Sequence, residues 1–211
     1  MRYYATASGP RVREAMQRGL LGMIATPAAG NRVEPAVDWI ADNSAFTGRY
    51  PGDTAYLQWL CRRREHRGRC AFATAPDVVA DSAATLSRSL PMLSRIRAAG
   101  YRAALVAQDG MTAAAIHFPE IDVLFLGGTT GWKLGAAAAD LVAAAHAHGV
   151  RTHMGRVNSL RRLRYADSIG CHSVDGTYLT YGPSRNLPHL PDWLQTVARE
   201  TVTPGDWHSN H

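Results

Sequence analysis

The chain has 211 residues, 46% of them hydrophobic, and carries a formal net charge of +6. This length suits one domain with a sizeable core rather than two, and short apolar runs along the whole chain exclude disorder. The charge rests on arginine, since Lys133 is the only lysine; arginine suits phosphate through its planar fork, although a GC-rich coding bias leaves the same mark.

Residues 2–7 hold β-formers in weak alternation, and no apolar signal core follows Met1, so a first strand in a cytoplasmic protein is predicted. Ser8-Gly9-Pro10 breaks that strand and opens a helix over 12–18. An apolar run over 20–26 closes at Pro27, and the turn-rich 28–34 leads without a clear helix to a short strand over 37–41 that ends at Asp42. Asp53 or Thr54 caps a helix whose Tyr56, Leu57, Leu60 and Cys61 share a face. The arginine run over 62–67 reads as its solvated end. Residues 70–75 form the next strand, ending at Pro76-Asp77. Asp81 then caps a long helix with Leu86, Leu90, Leu93 and Ile96 at helical spacing, a kink expected at Pro91 and a stop at Gly100.

Ala103–Ala107 is strand-like and ends at Gln108-Asp109-Gly110; a short helix over 111–118 follows, then Val123–Leu126 ending at Gly127-Gly128. Residues 132–148 read as one helix closed by Gly149; with Asp140, His146 and His148 in it, the alanine-rich stretch is no transmembrane span. Arg151–Met154 ends at Gly155-Arg156, a basic helix covers 159–165, and a buried strand over 168–174 delivers Asp175 onto a Gly-Thr turn. A helix over 193–200 closes the chain before 203–211, which reads as a frayed tail.

Eight apolar runs separated by helix-length segments predict a parallel sheet, and eight such units predict a compact (β/α)8 TIM barrel as the single domain, with a short C-terminal helical tail. A doubly wound open sheet is the alternative. In such a barrel the C-terminal strand ends form one face, where Asp42, Asp77, Gln108, Gly127-Gly128, Met154-Gly155 and Asp175 would converge. Singly, each carboxylate reads as a cap or a turn former, and Asp81, Asp109 and Asp167 are assigned to those roles. Together, Asp42, Asp77 and Asp175 point to a site for a flat polar ligand.

Phosphate-binding loops of either glycine pattern, the Gly-x-Ser-x-Gly elbow and the His-Glu-x-x-His helix are all missing. The isolated Cys61, Cys70 and Cys171 indicate neither a disulfide framework nor zinc. His153 and His172 can be read as metal ligands beside an aspartate or, more commonly, as hydrogen-bonded structural residues.

These segments, in this order, resemble the queuine-type tRNA-guanine transglycosylases and, more closely, their DNA-acting relatives, the 7-deazaguanine DNA transglycosylases. The resemblance covers residues 40–182. Asp42-Asn43-Ser44-Ala45-Phe46 is similar to the Asp-Ser-Gly-Gly-Tyr/Phe segment, whose aspartate is the general acid/base and whose aromatic stacks on the base. Ala75-Pro76-Asp77 resembles the strand end that reads the guanine edge, and 106–110 the segment whose amide, here Gln108, also contacts the base. Gly127-Gly128 is similar to the glycine pair lying against the base, and Met154-Gly155 to the pair covering its other face. Residues 170–175 match Gly-x-Asp-x-Phe-Asp, with Asp175 at the nucleophile. Asn43-Ser44-Ala45 departs from Ser-Gly-Gly, and the zinc motif of the tRNA enzymes is missing.

The resemblance implies exchange of guanine in DNA for a free 7-deazaguanine base, preQ0-like, through a covalent Asp175–sugar ester, with Asp42 moving the protons and with neither metal nor redox cofactor. Lys133, Arg156, Arg161, Arg162 and Arg164 are the expected phosphate contacts, with solvated helix surface as their other reading. A tRNA-acting transglycosylase, a non-catalytic nucleic-acid-binding barrel and a small sugar-phosphate enzyme remain open.

Overall fold

The computed structural model describes residues 1–201; the tail expected over 203–211 lies outside them. In chain order the elements are β1 (Arg2–Ala5), α1 (Pro10–Gln17), β2 (Gly22–Ala25), β3 (Trp39–Ala41), α2 (Asp53–Cys61), β4 (Cys70–Thr74), α3 (Ser82–Ala98), β5 (Ala103–Ala107) and β6 (Val123–Leu126). Then come α4 (Thr130–Lys133), α5 (Ala136–Ala147), β7 (Arg151–Met154), α6 (Leu160–Ser168), β8 (Ser173–Gly176), α7 (Pro183–Asn186) and α8 (His189–Thr201). Each strand pairs in parallel with the next, and β8 pairs with β1 from Arg2↔Ser173 to Ala5↔Gly176, so the sheet closes into an eight-stranded barrel. Closure leaves no open sheet edge. Among the described residues no helix is long and apolar enough to cross a membrane.

Strand alternation divides the core in two. Tyr4, Ile40, Phe72, Ala104, Val106, Val123 and Phe125 fill the barrel interior. Their strand neighbours, such as Tyr3, Ala41, Ala73, Leu105, Leu124 and Met154, point outward and join the larger cluster between sheet and helices. Fully burying each large apolar side chain in these layers contributes about 1.5–3 kcal/mol.

The elements follow local chemistry. Pro10 occupies the first turn of α1, where its missing N–H costs nothing. The Asp81 carboxylate accepts from Ala84 N–H at 2.9 Å and caps α3, which continues through Pro91 to Ala98 and stops at Gly100, φ +85°.

Three expected elements differ. The helix expected over 111–118 is two single 3₁₀ turns, Ala113–Ala115 and Phe118–Glu120, because the backbone is extended at Thr112 and again at Ile116 (φ −101°, ψ 123°). The helix over 132–148 is broken, since Gly135 is extended (φ −107°, ψ 172°) and separates α4 from α5. The strand expected over 168–174 starts only at Ser173. Helix α6 runs to Ser168 and is closed by Gly170, φ +86°, with Cys171 N–H returning to the Ala166 carbonyl at 2.8 Å.

Candidate active site at the barrel mouth

The C-terminal strand ends bring Asp42, Asp77 and Asp175 close enough for their charges to be felt together at Asp42. Asp42 follows Ala41 with the inward parity of Ile40. Its Oδ1 accepts from Ser44 N–H at 2.8 Å. The residue keeps partial exposure, yet protein atoms crowd its carboxyl, and this desolvation pushes its pKa up to about 7. The Asp175 and Asp77 charges push the same way, against the Ser44 hydrogen bond.

Next to it, Asn43 binds β3 to β4: its N–H donates to Thr74 Oγ1 at 2.9 Å, and its Nδ2 to the Ala75 carbonyl at 2.8 Å and Asp77 Oδ1 at 2.9 Å. Gln108 Nε2 donates to the other Asp77 oxygen at 2.7 Å, while its Oε1 accepts from Ala80 N–H at 3.0 Å. Asp77, 6% exposed, therefore sits in a made-to-measure set of donors; burial raises its pKa while the Asn43 and Gln108 hydrogen bonds lower it.

Across the mouth, Asp175 is the third residue of β8. Its Oδ1 accepts from Arg156 N–H at 3.0 Å, and its Oδ2 lies 2.9 Å from His153 Nε2. His153 is wholly buried inside the barrel, and its Nδ1 meets Ser173 Oγ at 2.8 Å. The Arg156 guanidinium turns back to donate to the carbonyls of Gly127 and Gly128 and covers the ring of Phe46 at 4.4 Å.

Ser44, Ala80 and Arg156 have left-handed backbones, with φ of 69°, 61° and 59°, and no other described non-glycine residue does. All three lie in loops that follow strand C-termini, after β3, β4 and β7. Strain of about 1–3 kcal/mol per residue is thus gathered at the end of the barrel that carries active sites in enzymes of this fold. Ser44 Oγ is also buried with no hydrogen-bond partner among the described residues.

The expected residues divide sharply. Asp42, Asp77, Gln108, Asp175 and Arg156 meet at the mouth, and Phe46, 57% exposed, lies on its rim. Met154 does not face the mouth: it neighbours inward-facing His153 on β7 and so points into the layer between sheet and helices. Lys133 is no surface phosphate contact. It is wholly buried, its Nζ donates to the Gly155 carbonyl, and burial lowers its pKa to about 7, helped by Arg156 and opposed by Asp175.

The glycines pack against this chain's own atoms. A Cβ on Gly127 would meet Val106 at 2.4 Å, one on Gly128 would meet Trp132 at 2.4 Å, and one on Gly155 would meet Phe125 at 2.7 Å. Of the α6 arginines, Arg161 is exposed, Arg162 donates to the Arg156 carbonyl at 3.1 Å, and Arg164 makes a two-pronged pair with Glu200. His153 is the site residue that sequence reasoning left unassigned. Its signal was parity, since strand alternation puts it on the face of Gly155 and opposite Ser173 and Asp175.

Among the described residues no cluster of three or more His, Cys, Asp or Glu side chains is arranged to hold a metal ion. No family model matches the chain, and no curated protein does. Solved structures with a similar fold exist. A mandelate oxidase with a monooxide FMN adduct aligns with a TM-score of 0.60 at 11% identity, over 90% of this chain and 67% of that one. A mandelate racemase/muconate lactonizing-type protein from Sorangium cellulosum aligns at 0.54 and 18% identity, over 85% of this chain. This chain spans 53% of its length. A 3-hexulose-6-phosphate synthase aligns at 0.53 and 10% identity, over 92% of this chain and 99% of that one. Likeness at these identities shows the fold, a (β/α)8 barrel, and nothing finer.

Proposed function

We propose that the chain is an enzyme, a base-exchange transglycosylase that replaces guanine in DNA with a 7-deazaguanine base. The observation that carries this reading is the pair of unlike carboxylates across the mouth. Asp175 is held between two fixed groups, Arg156 N–H on Oδ1 and His153 Nε2 on Oδ2, while desolvated Asp42 can hold a proton near pH 7. Two carboxyl groups with different environments divide into a nucleophile and an acid/base.

In the first step an Asp175 oxygen bonds to C1′ as the bond from C1′ to guanine N9 breaks, and Asp42 supplies the proton the departing base needs. In the second, Asp42 takes a proton from the incoming 7-deazaguanine, whose nitrogen displaces Asp175 from C1′. The sugar-linked ester splits one hard displacement into two. Asp77 and Gln108 suit a base edge because each Asp77 oxygen keeps a second lone pair after serving its protein donor. Phe46 supplies an aromatic face at the rim. The target base must leave its stack, which costs a few kcal/mol, so DNA phosphates have to contribute to binding.

The test is exchange of labelled guanine and of 7-deazaguanine bases into duplex DNA, single-stranded DNA and tRNA side by side. Incorporation into DNA, with a covalent adduct trapped in the wild type and missing from Asp175→Asn, is the expected result. Exchange confined to tRNA overturns the choice of polymer, and no exchange into any of the three overturns the activity.

A further inference from the structure

The mechanism above leaves His153 without a part, although it touches the nucleophile. Its ring is enclosed by Tyr4, Phe72 and Phe125, with centroids 6.1, 5.0 and 4.6 Å away. Packing alone would be served there by leucine or phenylalanine, and a polar ring in such surroundings costs stability unless both nitrogens are hydrogen-bonded. Both are, and the partners are unequal. A carboxylate oxygen can only accept, so Nε2 carries the hydrogen that meets Asp175 Oδ2. Nδ1 faces Ser173 Oγ, a hydroxyl that serves either tautomer. Ser173 pairs directly with His153 across β7 and β8, so the sheet register itself fixes this contact.

We infer that His153 is the positioning residue for Asp175: Ser173 anchors its ring through Nδ1, and its Nε2–H, together with Arg156 N–H, holds the carboxylate plane in one orientation for attack on C1′. The inference rests on Asp175 being the nucleophile, as proposed above. It gives a role to an imidazole that stands among three aromatic rings, tied to Ser173 at the start of β8 and to Asp175 near its end. Misplacing a reacting atom by about 1 Å can lower a rate about 100-fold, and the His153 bond is one of two that set where the Asp175 oxygens lie.

Two measurements test it. In exchange kinetics His153→Leu is expected to lower kcat roughly 100-fold with KM little changed. Ser173→Ala should lower it less, and His153→Gln should recover part of the loss by again offering an N–H. In ¹⁵N NMR of the imidazole, the wild type is expected to show the Nε2–H tautomer, and Asp175→Asn should shift it. Wild-type kcat in a folded His153→Leu, or a ring protonated at Nδ1 alone, overturns the inference. If His153→Leu does not fold, Ser173→Ala and the NMR measurement decide. Should the wild type exchange no base at all, the activity reading fails by itself, and the response of the His153 tautomer to Asp175→Asn still tells whether the ring is held by that carboxylate.

Discussion

At the scale of single residues the mouth works through desolvation. Asp42 binds its proton more tightly in the fold, at about 7, than the ordinary 3.8 of an unfolded chain. Its contribution to stability is therefore fullest below about pH 4 and is lost as the pH rises through about 7. Above pH 7 the ionised carboxyl costs up to about 4 kcal/mol, an upper figure because the residue is partly exposed. Asp42→Asn keeps an oxygen for Ser44 N–H and carries no charge, so it should melt higher than the wild type at pH 8 and lose that advantage near pH 4. Thermal melts across this range check it; a variant no more stable at pH 8 would mean that Asp42 is well solvated. Asp175→Asn has the opposite balance. An amide replaces one accepting oxygen by a donor facing His153 Nε2 or Arg156 N–H, which should cost about 1–3 kcal/mol of stability in urea titrations unless the His153 ring changes tautomer. Base exchange should vanish with it, and exchange at near wild-type rate would move the nucleophile elsewhere.

At the scale of elements, the order of strands was legible because apolar runs give way to polar residues or glycines near the strand ends. Asp42 and Gln108 directly follow β3 and β5, and Asp77 lies three residues beyond β4, whereas Asp175 lies inside β8. Two misplacements have different causes. Alternation alone would have turned Met154 away from the mouth, as its neighbour His153 shows. Lys133 was not legible, because its burial depends on the break at Gly135 that ends α4 and leaves the side chain reaching Gly155. The Gly-Thr pair after Asp175 was read as a turn, yet Gly176 lies in β8, pairs with Ala5, and does not take a left-handed φ. Glycine is needed there for closeness: a Cβ would stand 2.2 Å from Tyr3 Oη, 2.4 Å from Asn158 Oδ1 and 2.6 Å from the Val157 carbonyl. Because one of those neighbours is backbone, the site cannot relax by rotating side chains. Gly176→Ala is predicted to destabilise the protein by about 1–3 kcal/mol or more and to loosen Asp175 beside it. Denaturant titration measures the first effect, and an unchanged midpoint would show that the β8 end yields more readily than this packing allows.

At the scale of the molecule, the arginines split between the two ends of the barrel. The run at Arg62, Arg64, Arg67 and Arg69 lies between α2 and the start of β4, at the N-terminal end and away from the mouth. On the mouth side Arg156 and Arg162 are folded into the site and Arg164 is paired with Glu200, whereas Arg49, Arg161 and Arg185 are exposed on loops and helix starts that follow strands. If DNA lies across the mouth, each phosphate that one of these arginines neutralises adds about 0.9 to the steepness with which log K falls against log salt. Arg49→Gln, Arg161→Gln and Arg185→Gln should each reduce that slope by about one. Substitutions in the run at the other end should leave it unchanged. Fluorescence anisotropy with a labelled duplex across a series of salt concentrations measures both. A slope that responds to the Arg62–Arg69 end and ignores the mouth would place the polymer at the wrong end of the barrel for Asp175 to reach a sugar.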